Sequence, residues 1–149
     1  MRRTVTVLLF LGYAAGVVAV TVFPITPHPP AYWSGEPWWT MVHYIPFQVD
    51  ASSFVLNVIL FVPFGVLVPL LRPSTDAIGR LAGRAVAVSC GIELVQLVLG
   101  LTLGSRRTVD VNDLIANTLG ALAGLLILRL AVPGRARRRS ILEAAGRPQ

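Results

Sequence analysis

The stretch Ser105-Arg-Arg-Thr-Val-Asp-Val-Asn-Asp-Leu-Ile-Ala-Asn-Thr-Leu-Gly120 decides how this chain is read. It sets Arg106, Arg107, Asp110 and Asp113 at the mouth of an apolar segment that continues to Val132. Asp113, Asn117, Gly120 and Gly124 follow at i, i+4, i+7 and i+11, so on a helix they share one stripe. Charged and amide groups are expensive in a bilayer and turn toward a bundle interior or a wet cavity. The stretch predicts a membrane helix that opens on a polar site.

Composition points the same way. Of 149 residues, 54% are hydrophobic and 13% charged, and the mean hydropathy is +0.70. A soluble domain of this size is far less apolar. The net charge of +6 comes from 13 basic residues, all arginine. They cluster at the ends of apolar runs, as orientation signals and headgroup contacts do, and this placement argues against a nucleic-acid partner. Cys90 is the lone cysteine, within an apolar run, so an intramolecular disulfide and a thiolate cluster are both excluded.

Four apolar stretches are long enough to span the hydrocarbon core: Val5 to Phe23, Phe54 to Leu71, Ala85 to Leu103 and Val111 to Val132. The expected fold is all-α, a polytopic membrane protein with four transmembrane helices in a single bundle. The first stretch follows Arg2 and Arg3 like a signal peptide. It is longer than an ordinary signal core and lacks a small-x-small cleavage site, so it is expected to stay as an anchor. Arg2, Arg3, Arg72, Arg80, Arg84 and the arginines from Arg135 to Arg147 fall on one side, and Arg106 and Arg107 on the other. That asymmetry predicts both termini in the cytoplasm. Residues 1–132 are expected to form one membrane unit and residues 133–149 a basic cytoplasmic tail.

The segment from Pro24 to Asp50 becomes the main outer loop. Its six prolines forbid a regular helix, and Tyr32, Trp33, Trp38, Trp39 and Tyr44 suit the headgroup zone. His28 and His43 have no metal-ligand spacing around them and read as incidental surface residues. No metal site and no cofactor are predicted.

Three spans carry polar groups. The second holds Asn57 and then Phe61-Val-Pro-Phe-Gly65, where Pro63 predicts a kink. The third holds Glu93 and Gln96 at i, i+3, with Arg106 and Arg107 as candidate counter-charges. The fourth supplies Asp110, Asp113 and Asn117, with Asp113 a candidate helix cap. Gly120 and Gly124 form a small-xxx-small surface for close packing. Under the deduced topology Asn57, Glu93, Gln96, Arg107, Asp110, Asp113 and Asn117 all fall in the outer half. They are the candidate ligand-binding residues; a catalytic residue is not identified.

These residues give the chain a close resemblance to the VanZ-like family of bacterial membrane proteins. The matching elements are Tyr44-Ile-Pro-Phe47, Asn57-Val-Ile-Leu-Phe-Val-Pro-Phe-Gly65, Glu93-Leu-Val-Gln96 and Arg107-Thr-Val-Asp-Val-Asn-Asp-Leu-Ile-Ala-Asn-Thr-Leu-Gly120, in the family's order, from about Tyr44 to Leu130. Asn112 stands where an acidic residue is frequent in the family. The resemblance implies a multi-pass protein of the bacterial inner membrane with a four-helix VanZ-like domain. It also implies a link to resistance against teicoplanin, a lipid-tailed glycopeptide antibiotic. Three functions stay open. The first is a cell-envelope protein that binds membrane lipid, a lipid-linked ligand or a glycopeptide in an outward cavity. The second is an enzyme on a phosphorylated or glycosylated lipid, with Glu93 and Asp113 as acid/base groups or ligands of a divalent ion. The third is an accessory membrane subunit.

Overall fold

A computed structural model describes residues 2–29, 37–105, 109–132 and 140–141. Four long helices carry the chain: α1 (Arg2–Val22), α2 (Ala51–Leu71), α3 (Ile78–Leu103) and α4 (Val111–Ala131). Each is long and apolar enough to cross a membrane. Two of the expected spans move at their ends. The third helix starts at Ile78 rather than Ala85, because Arg80 and Arg84 are good helix formers whose long stems follow the helix to the bundle edge. The second begins at Ala51, set by Asp50, whose side chain accepts the backbone N–H of Ser53 at 2.9 Å.

The packing centre is the α2–α4 pair. Gly120 and Gly124 of α4 lie against the Val58 and Val62 carbonyls of α2, and Gly65 lies against the Ala121 carbonyl. Any Cβ at these glycines would collide with backbone, so their absence of a side chain sets the helix separation. The α2 helix runs unbroken through Pro63 and Pro69. Phe61, Phe64 and Val68 of α2, Leu81 and Ala85 of α3, and Ala121 and Leu125 of α4 form the buried cluster.

The α1 helix is a peripheral member. Val17 is its buried apolar residue, while Leu8, Leu9, Leu11 and Val20 are exposed, as lipid-facing side chains would be. It is tied on by the Tyr13 hydroxyl, which donates to the Leu60 carbonyl at 3.0 Å, and by Gln96 Nε2, which donates to the Thr21 carbonyl at 2.9 Å. At the arginine-rich end Arg129 Nε meets Asp76 Oδ1 at 3.3 Å, and the guanidinium also donates to the Asp76 carbonyl. That pair closes the Pro73–Asp76 turn onto the end of α4.

At the opposite end the loop is not merely irregular. Val42–His43 (β1) and Val109–Asp110 (β2) pair as a parallel two-stranded ladder, Val42 beside Val109 and His43 beside Asp110. The α3 helix stops at Gly104, whose φ of 64° is the left-handed conformation that only glycine adopts at no steric cost. The loop docks on that stop: His28 N–H donates to the Leu103 carbonyl at 3.0 Å, and the Thr26 amide donates to the buried Ser105 Oγ at 3.4 Å.

Candidate functional site

The ladder places the entries of α2 and α4 side by side, and the polar residues gather there. Asp110 caps α4: one carboxylate oxygen accepts the Asn112 N–H at 2.8 Å. The capping role expected of Asp113 thus falls to Asp110, because β2 holds Asp110 in the extended conformation of a cap while Asp113 already lies in the first helical turn. Glu93 of α3, buried, accepts the Asp110 backbone N–H at 3.1 Å. Asp113 accepts from Asn57 Nδ2 of α2 at 2.6 Å. Asp110 and Asp113 both lie within electrostatic range of Glu93. Three carboxylates from two helices, with an amide from a third, therefore form one cluster.

Gln96 and Asn117 do not join it directly. Gln96 turns to Thr21 of α1, and Asn117 Nδ2 donates to the buried Ser89 Oγ at 2.8 Å. The acceptor oxygens of both amides are buried and unpartnered among the described residues, which is uncommon and marks spare acceptor capacity on either side of the cluster along α3 and α4. Arg107, the candidate cation at the mouth, lies outside the described residues, as do Arg106 and the tail apart from residues 140–141.

Two residues were missed by the sequence reading. His43, incidental by its sequence context, has Nδ1 3.8 Å from Asp110 Oδ2, with the imidazole 56% exposed and the carboxylate 14%. Nothing local signals this; only the ladder brings His43 to Asp110, far along the chain. Asn112 is the second, fully buried. Its Oδ1 accepts the Phe47 N–H at 2.6 Å, and its Nδ2 donates to the Ile45 carbonyl at 3.2 Å and to Asp110 Oδ1 at 2.7 Å. An aspartate there could accept from Phe47 but could not donate to Ile45, so the amide suits this latch. Phe47 itself has φ 64°, a strained value for an aromatic residue that the Asn112 bond helps hold.

The latched segment is an exposed lip beside the cluster, tied to Asp110 through Asn112. Tyr44 and Phe47 are 76% and 78% exposed, and Ile45 is exposed beside them. Val42, His43, Tyr44, Ile45 and Gln48 line a cavity of about 290 Å³. Among the described residues no group of three His, Cys, Asp or Glu side chains is arranged to hold a metal ion. Chemically the cluster is rich in acceptors. It can take hydrogen bonds from hydroxyl or ammonium donors while the aromatic lip covers their apolar attachments.

Four apolar helices around a polar cluster at one end define a multi-pass membrane protein. The chain belongs to the VanZ/LLP1 family, whose model matches residues 10–132. The match reaches well ahead of Tyr44, where the recognisable motifs begin, and so takes in most of α1 and the whole proline-rich loop. No curated protein and no solved structure matches the chain.

Proposed function

We propose that this VanZ-type membrane protein binds the polar head of an amphipathic lipid, glycolipid or lipid-tailed glycopeptide at the Glu93–Asp110–Asp113 cluster. Binding there lowers sensitivity to such glycopeptides. The observation that carries the proposal is the convergence of Asn57, Glu93, Asp110 and Asp113 beside the exposed Tyr44–Phe47 lip. Sugar hydroxyls and ammonium groups are the donors that carboxylates accept best, and an acyl tail can remain in lipid beside the lip. The arginine asymmetry of the sequence supports an arrangement with this end of the bundle on the outer face of a bacterial inner membrane and both termini in the cytoplasm.

The His43–Asp110 contact favours a second reading. A histidine next to a carboxylate is a general base that the sequence motif lacked, and it fits an enzyme acting on a phosphorylated or glycosylated lipid. The test is tolerance to teicoplanin and to untailed vancomycin in a host lacking its own homologues, at matched protein levels. Overexpression is expected to raise tolerance to the tailed drug more. Glu93→Gln and Asp113→Asn, which remove charge at nearly constant volume, are expected to abolish the effect, and Arg107→Ala the difference between drugs. His43→Gln is expected to leave binding in place but to abolish turnover if the enzymatic reading is the correct one. Full tolerance in both carboxylate variants would refute the site.

A further inference from the structure

A second feature lies at the other end of the bundle and is independent of the carboxylate cluster. Between α1, α2 and α3 runs a groove of about 350 Å³, walled by Phe10, Phe64, Val68 and Val88, with Arg72 and Arg84 at its edge. Arg72 follows the last residue of α2. Arg84 stands on α3, six residues past Ile78 and thus about 9 Å along the helix. Its Nη1 is buried and has no hydrogen-bond partner among the described residues. Neither arginine pairs with a described carboxylate, and the acid of the neighbouring turn, Asp76, is held by Arg129.

A guanidinium stays charged and carries five donors, so a buried nitrogen without an acceptor calls for an anion. The apolar wall calls for hydrocarbon. Val88 of the groove wall is exposed, as are Leu9 and Leu11 beside Phe10, so an occupant can enter sideways from the bilayer. Two cations beside an apolar channel at the membrane edge are complementary to one kind of molecule, an anionic lipid. We propose that this groove is a binding site for an anionic phospholipid, with the headgroup phosphate held by Arg72 and Arg84 and an acyl chain lying against Phe10, Phe64, Val68 and Val88.

The test is native mass spectrometry of the detergent-purified chain titrated with dioleoyl phosphatidylglycerol or dioleoyl phosphatidylcholine. Both lipids offer a phosphodiester, but choline adds a cation that the two arginines repel, so phosphatidylglycerol is expected to bind about tenfold more tightly. Arg72→Gln with Arg84→Gln is expected to erase the preference. Arg80→Gln, an exposed arginine one turn before Arg84 and off the groove, is expected to keep it. Val88→Trp, which fills the groove and leaves the charges intact, is expected to weaken phosphatidylglycerol as well. If the double variant does not fold, Arg72→Gln alone and Val88→Trp carry the test. Equal affinity for the two lipids would overturn the proposal, and so would a loss in Arg80→Gln equal to that of the double variant. Displacement of the lipid by millimolar inorganic phosphate would overturn it too, by making the site one for free anions.

Discussion

Replacing Asn112 by aspartate changes one atom type in a side chain that makes three bonds to its surroundings. The Phe47 N–H keeps its acceptor. The donations to the Ile45 carbonyl and to Asp110 Oδ1 are lost, at about 0.5–1.5 kcal/mol each, or about 1–3 kcal/mol together. The new carboxylate also faces Asp110 where the amide stood 2.7 Å from it, so repulsion adds to the loss. Against this stands the strain of Phe47 in the left-handed region, about 1–3 kcal/mol, which the latch must outweigh. The two magnitudes are comparable, so Asn112→Asp is expected to release the lip while the four helices stay assembled. Hydrogen–deuterium exchange across residues 42–49 in nanodiscs reads this directly. Exchange should quicken about 5- to 150-fold, the factor that corresponds to 1–3 kcal/mol, with α2 and α4 unchanged. Adding Phe47→Gly, which removes the strain, should restore part of the protection. Unaltered exchange in Asn112→Asp would refute the latch.

Gly120→Ala puts a methyl group against the Val58 carbonyl and should destabilise the bundle by about 1–3 kcal/mol, read as a lower unfolding temperature in detergent; an unchanged temperature would mean the helices part freely. Hydrogen bonds from Ser52 and then from the Ser53 amide hold the exposed Asp50 carboxyl below its ordinary 3.8. Because the folded value is lowered, its contribution to α2 is complete above the unfolded value and is lost as pH falls through the lowered one; the acid limb of an unfolding titration should flatten in Asp50→Asn. Reporter fusions after Gly35 should lie outside and those after Ala77 inside, and an outside signal at Ala77 would invert the orientation.

The four spans were legible because bilayer length and apolar continuity leave few alternatives for segments such as Val111 to Ala131. The glycine stripe was legible as well, since Gly120 and Gly124 share a face whatever their partner. The ladder was not. Two-residue strands carry no alternation, and pairing His43 with Asp110 is a long-range event that no local pattern encodes. Asn112 escaped for the same reason: its partners at Ile45 and Phe47 are backbone groups, which leave no mark on side-chain identity. The start of α3 was misplaced because hydropathy falls at Arg80 and Arg84 before helicity does.

The parallel ladder has an electrical consequence. The ladder sets the entries of α2 and α4 side by side, and the contacts Gly120–Val58 and Gly124–Val62 rise together along both helices, so the two share one polarity and touch along their glycine faces. The free N–H groups of both first turns therefore face the same end of the bundle, where α3 also ends, and their field acts over about one turn. Asp50, Asp110 and Asp113 stand in that field, at or within the first turn of the two helices. The first turns of α2 and α4 thus offer Asp50, Asp110 and Asp113 a local counter-potential that comes from the backbone rather than from any side chain.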